Sequence, residues 1–211
     1  MYLPRHFQPP GPGAPQQLMR DHPLATLVVH GPDGLAANHI PLLWQQDGDG
    51  PCLLRGHVAR ANPLWRQLGD GVPALAIFHG PQAYISPSWY PGKQQTGKVV
   101  PTWNYAVVHA HGRLRAIDDP QWLRSFVATL TAEHENRRTP PWAVTDAPPD
   151  YIQSMVAAIV GIEMTVERLE GKWKAGQNQP EPNRLGAAQG LRGEGETPMA
   201  DLMQPPPEPG P

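Results

Sequence analysis

The chain has 211 residues, 39% of them hydrophobic and 17% charged, enough to bury one substantial core and too few for several large domains. Its 17 basic residues face 19 acidic ones, a formal net charge of −2, which excludes the whole-chain attraction that nonspecific nucleic-acid binding depends on. Cys52 is the single cysteine, so neither an intramolecular disulfide nor a cysteine-built metal cage is available. The sequence carries no apolar signal core and no apolar run of membrane length, and the expectation is a cytoplasmic protein with no membrane association.

In chain order, Pro15 to His22 reads as a short helix closed by Pro23, which disfavours helical geometry in the residue before it. Leu24 to Val29 reads as a strand, the turn residues 31–34 follow, and Leu35 to Trp44 reads as the returning strand. A second turn at 47–50 leads into a strand from Cys52 to His57. Asn62-Pro63 is a helix start, because Asn caps free amides and Pro has no amide to leave unpaired, and the spacing predicts a short helix to Leu68. Pro73 to Phe78, Gln82 to Ser86 and Val99 to Ala116 read as three strands, the last broken at Gly112. Asp119-Pro120 opens the clearest helix, in which Leu123, Phe126, Val127 and Leu130 line one face, ending near Asn136. A proline-rich loop, a helix from Tyr151 to Ala158 and an edge or interface strand from Gly161 to Leu169 complete the pattern. Short strands with interrupting helices predict a mainly β fold with α decoration, an antiparallel barrel in which no parallel α/β layering is expected. Residues 1–178 are the expected domain, 179–203 a helical extension weakened by its glycines, and 204–211 a disordered tail.

Three segments carry candidate chemistry. Residues 55–63 place Arg60, His57 and Asn62 at a strand end beside a helix start; guanidinium and free amides together make a phosphate cradle. The alternative is that Arg60 pairs with a carboxylate and Asn62 only caps its helix. Residues 80–90 and 100–105 mix Trp and Tyr with Ser, Thr and Asn, suited to the faces and polar edge of a planar ring, or to a core rim whose rings bond their own loops. Residues 171–178, with Lys172, Trp173 and Lys174, either close over an anion or form a solvated exit loop. His109 and His111 share a strand face at period two without a third-ligand spacing, and they read as solvent-facing with no metal assigned. There is no GxSxG, P-loop or Rossmann fingerprint, and no residue is assigned a catalytic role.

Six ordered motifs, MYLPRHF, NHIPLL, GHVARANPLW, GPQAYISPSWY, VPTWNY and GKWKAGQN, resemble the PaiB family of FMN-binding proteins described as negative transcriptional regulators. The resemblance implies a split β-barrel of the pyridoxamine phosphate oxidase-like type, FMN as cofactor, and a homodimer with flavin sites at its interface. It implies that Asn38, His39, His57, Arg60 and Asn62 face the phosphate and ribityl chain. Ser88, Trp89, Thr102, Trp103 and Asn104 would then lie nearer the ring, with Lys174 and Gln177 closing the site. Gly176 departs from the family's Ser before the Gln-Asn pair, which removes a hydroxyl there. A flavin-dependent regulatory protein is the implied function, with an NAD(P)H-dependent flavin oxidoreductase as the alternative. Direct DNA contact has little support, since no convincing helix-turn-helix or Arg- and Lys-dense helix is present.

Overall fold

The computed structural model describes residues 1–32, 34–46, 48 and 50–204. The expected disordered tail beyond Gln204, and the turn residues Asp33, Asp47 and Asp49, lie outside the described residues. The elements in order are a 3-10 turn (Arg5–Phe7), α1 (Ala14–Asp21), β1 (Leu24–Gly31), β2 (Gly34–Pro41), β3 (Leu43–Gln45) and β4 (Leu53–Ala59). Next come a 3-10 helix (Pro63–Gln67), β5 (Val72–Ile85), a 3-10 turn (Pro87–Trp89), α2 (Gly92–Thr96), β6 (Thr102–Ile117) and α3 (Pro120–Glu135). A 3-10 turn (Val144–Asp146), α4 (Pro149–Ala157), β7 (Ile159–Lys174), α5 (Glu181–Gly193) and α6 (Thr197–Met203) complete the described chain. The strands order as β2-β1-β5-β6-β7-β4-β3. Among the described residues no helix is long and apolar enough to cross a membrane.

The chain forms two compact units, each discontinuous in sequence. One comprises His22–Phe78 and His109–Leu169. Its strands follow the two-residue period, with Ala25, Leu27 and Val29 of β1, Leu54 and Val58 of β4, and Ala74, Ala76 and Phe78 of β5 all buried. β1 pairs antiparallel with β2 and with β5, β4 antiparallel with β3 and β7. The predicted returning strand 35–44 is two strands, because the buried Leu42 interrupts it and β3 leaves β1 to pair with β4. Asp119 caps α3 by accepting from the backbone amides of Gln121 and Trp122, and Leu123 and Phe126 are buried on its inner face. Leu123 clusters with Ile152 and Val156 of α4.

The expected edge strand is corrected: β7 lies between β6 and β4, and residues 160–164 are buried in succession, as in a strand covered on both faces. Nor does Gly112 break β6. A Cβ there would overlap the Thr165 carbonyl oxygen, so this glycine permits close backbone approach.

The other unit comprises Met1–Asp21, His79–Val108 and the chain from Glu170 onward. The two strands expected at 73–78 and 82–86 are one continuous strand, β5; Gly80 is small because a Cβ would stand 2.8 Å from Leu18 Cδ1. The exit segment 171–178 is likewise strand as far as Lys174, with Trp173 buried. The glycine-bearing C-terminus folds as α5 and α6, which bury Ala187, Ala188, Leu191, Met199, Ala200 and Met203 with Ala83, Ile85 and Tyr90. Each fully buried Leu or Met there contributes about 1.5–3 kcal/mol, which offsets the helix cost of glycine. Gly186 and Gly190 are required for packing, since a Cβ at either would overlap Trp89.

Candidate functional site

The proposed phosphate segment lies in the unit containing residues 22–78. Arg60 follows β4, and its guanidinium is fully engaged there: Nη1 and Nη2 donate to Asp118 Oδ2 and Oδ1 at 2.9 and 2.6 Å. Nε donates to the Ala157 carbonyl at 2.7 Å, and Nη2 also to that of Ile159 at 3.0 Å. The hydrogen bond to Asp118 holds Arg60 above its ordinary pKa and Asp118 below its own. Of the two readings open from sequence, the carboxylate pair is the one formed. Asn62 does cap the 3-10 helix, its Oδ1 accepting from Leu64 N at 2.9 Å, while its Nδ2 donates to Asn38 Oδ1 at 2.8 Å. His39 Nδ1 and Thr26 Oγ1 share a hydrogen bond of 3.2 Å across the β1–β2 pair. His57 on β4 meets Phe126 edge-on, centroids 6.1 Å apart, and its buried Nδ1 has no partner; burial pushes its pKa down. Within this segment the structure therefore joins Asn38 to Asn62 and leaves His57 Nδ1 without a partner among the described residues.

The remaining candidates lie in the unit that begins at Met1. Lys174, at the end of β7, donates Nζ to Thr102 Oγ1 and, at 2.6 Å, to the Trp103 carbonyl. No carboxylate among the described residues pairs with it, and burial pulls its pKa down. Trp103 is 56% exposed and meets the half-exposed Tyr84 edge-on at 6.2 Å. Pleat alternation sends Asn104 the other way: it is 2% exposed, and its amide donates to Met203 Sδ at 3.4 Å. Trp89 packs its indole over Gly190, and Ser88 Oγ accepts from Lys93 Nζ at 3.4 Å. Gln177 bonds its own loop, accepting from Ala175 N at 2.8 Å and donating to the Trp173 carbonyl at 2.6 Å. Gly176 has φ of +79°, where a Ser would be strained. Lys174 is thus brought to the Thr102 hydroxyl and the Trp103 backbone carbonyl, whereas Asn104, Trp89 and Gln177 are committed to packing and loop structure.

The second lysine of this segment is occupied differently. Lys172 Nζ donates to the Tyr2 carbonyl at 3.2 Å and lies within 5.5–5.9 Å of the rings of Tyr2, Phe7 and Tyr105.

Sequence reading missed Glu163. Its side chain is 5% exposed and accepts from Arg55 Nε at 2.7 Å and Arg115 Nη2 at 2.5 Å. Arg55 also donates to Gln45 at 2.5 Å, and its guanidinium lies over Trp122 at 5.9 Å. Burial alone would raise the Glu163 pKa, but the two arginines outweigh it and hold the carboxyl below its ordinary value. The only signal was a Glu among buried apolar residues on β7. Nor does sequence spacing connect Asp118 to Arg60, 58 residues away.

This strand order with its helical decoration defines the class: a split β-barrel, mainly β with α decoration. Among solved structures, the FAD and heme binding protein from Mycobacterium smegmatis matches with a TM-score of 0.52 and 18% identity, over 74% of this chain and 68% of that one. A conserved hypothetical protein from Mycobacterium tuberculosis matches with a TM-score of 0.56 and 13% identity, over 86% of this chain and 95% of that one. The family described as "Putative FMN-binding domain" matches residues 1–168. The Bacillus subtilis "Protease synthase and sporulation protein PAI 2" is 29% identical over 97% of both chains. An uncharacterized protein of Emericella nidulans is 33% identical, over 83% of this chain and 84% of its own. The chain belongs to this FMN-binding family, of the PaiB type.

Proposed function

We propose that the protein binds FMN as a cytoplasmic homodimer and that flavin binding serves a regulatory role. Lys174 carries this reading. A partly buried ammonium with no carboxylate partner among the described residues, fixed by Thr102 and the backbone carbonyl of Trp103, whose indole is exposed, fits a phosphate-bearing planar ligand. Lys174 and Thr102 would hold the phosphate and Trp103 would face the ring system. Arg60 would not supply the counter-charge, because Asp118 already neutralises it.

When bound, the flavin would supply one- or two-electron redox chemistry of its own, with no protein acid or base needed. The homodimer is supported by the exposed apolar surface at Tyr84, Val100 and Trp103, 48–73% exposed, which a second chain would cover. The cytoplasmic setting rests on the free, half-buried Cys52. The regulatory role rests on the full-length likeness to the sporulation protein.

The test is an absorption spectrum of the purified protein before and after added FMN, with molar mass measured by light scattering. A flavin spectrum that saturates at one FMN per chain on a dimer supports the proposal. A colourless monomer that leaves added FMN unchanged overturns it. For the regulatory role, retention of DNA from upstream of the protein's own gene is measured at physiological salt with and without FMN. Retention that changes with FMN is expected, and its absence removes regulation through direct DNA contact.

A further inference from the structure

A cavity of about 370 Å³ opens in the unit that begins at Met1, between the loop around α2 and the start of α5. None of the residues nominated for the flavin lines it. Three side chains of its wall point to an anion. Asn183 is 8% exposed, and its Oδ1 is fixed by the Gly92 amide at 3.1 Å. Its Nδ2 therefore faces the cavity with no acceptor among the described residues. Gly92 permits this contact, since a Cβ there would stand 3.1 Å from Asn183 Oδ1.

Tyr90 is 4% exposed, its hydroxyl has no partner among the described residues, and burial keeps it protonated. The thirteen-residue α5 begins at the cavity, but Pro182 has no amide hydrogen and the Asn183 and Arg184 amides donate to the Pro180 carbonyl, so the donors for an anion are side chains. Lys98 is the one charged side chain in the lining among the described residues, and it makes no ion pair. Glu181, in the first turn of α5, does not line the cavity. The rest of the wall mixes Val99, Val100 and prolines of both segments with the uncharged polar side chains of Gln95, Thr96 and Gln179.

We propose that this cavity is a second small-molecule site, separate from the flavin, for a compact carboxylate with an apolar or aromatic body. Asn183, Tyr90 and Lys98 supply donors to the carboxylate, and the valines and prolines enclose the body. The volume lies within the ordinary range for small-ligand pockets and is too small for a nucleic acid or a folded partner. In a flavin-dependent regulatory protein such a ligand would be an effector, although the site stands whether or not FMN binds.

The test is isothermal titration calorimetry of the full chain with benzoate, run with and without saturating FMN. Benzamide is the neutral control and inorganic phosphate the control for an anion without an apolar body. Expected is saturable binding of one benzoate per chain, unaffected by FMN, with neither control bound comparably. Lys98→Met, at an exposed position, should weaken benzoate at least about tenfold. Asn183→Asp keeps the acceptor for the Gly92 amide but replaces the donor with a negative charge, and it should abolish binding. Thermal melts report whether Asn183→Asp folds; if it does not, Lys98→Met decides. No benzoate heat, binding indifferent to Lys98→Met, phosphate bound as tightly as benzoate, or displacement by FMN each overturns the proposal. Benzoate binding in a chain that takes no FMN would overturn the flavin reading and leave this one intact.

Discussion

Arg60 and Lys174 are both cations at strand ends, yet their surroundings assign them opposite work. Arg60 belongs to a unit in which three guanidiniums are paired with carboxylates across the sequence: Arg60 with Asp118, and Arg55 and Arg115 with Glu163. Lys174 belongs to a unit that gives it a hydroxyl and a carbonyl but no counter-charge. Paired cations hold a fold in one arrangement, and under the proposed function a partly desolvated cation without a carboxylate would attract the anionic ligand. The same contrast appears in the aromatics, with Trp122 stacked on Phe126 at 5.1 Å in one unit and Trp103 more than half exposed in the other.

The largest stability effect should come from breaking the buried pairing of the first kind. Glu163→Gln leaves Arg55 and Arg115 without their carboxylate and should cost about 3 kcal/mol in urea unfolding, with FMN affinity unchanged. The sign with pH follows from the depressed Glu163 pKa. Its contribution is complete above the ordinary carboxylate range and is lost as pH falls through the lower folded value. The Glu163→Gln variant should therefore show a flatter acid limb than the parent, and equal acid limbs would mean that the pair contributes nothing.

Gly190→Ala should cost about 2 kcal/mol by forcing the Trp89 indole off α5, read as a lowered melting temperature with altered tryptophan fluorescence. An unshifted melt would show that Trp89 is loosely held. A smaller effect is expected from His57→Phe. His57 is partly buried with its pKa pushed down, so folding favours the neutral ring, and the stability that depends on it is lost as pH falls through the mildly acidic range. Replacing it should remove that slope while leaving neutral-pH stability near the parent's, as denaturation at two pH values will report. Arg60→Ala should have the smallest effect, since the Arg60–Asp118 pair is exposed and exposed pairs contribute little.

Local signals in the sequence located most of the elements. Alternation at Ala25, Leu27 and Val29 marks β1, the Asn62-Pro63 step marks a capped 3-10 helix, and Asp119-Pro120 marks α3. What escaped depends on long-range packing. Gly80 and Gly112 resemble chain breaks in sequence but are close-approach points inside β5 and β6. The alternation of Ile162, Met164 and Val166 with charged neighbours reads as an edge or interface strand, and the two arginine partners of Glu163 make its carboxylate compatible with an interior position. The ordered motifs led to the family, and their residues then divided by direction. Pleat alternation in residues 102–104 turns Trp103 outward and Asn104 inward, so a motif marks a segment without saying which of its side chains is presented. Whether Arg60 or Lys174 lacks a counter-charge was not legible either, because Asp118 is distant in sequence.

FMN titration of the parent, Lys174→Met and Arg60→Ala chains, followed by flavin fluorescence, tests this division most directly. The account predicts that Lys174→Met weakens FMN at least about tenfold with an unchanged melting temperature, while Arg60→Ala binds as the parent does. FMN binding lost in Arg60→Ala and retained in Lys174→Met would contradict it.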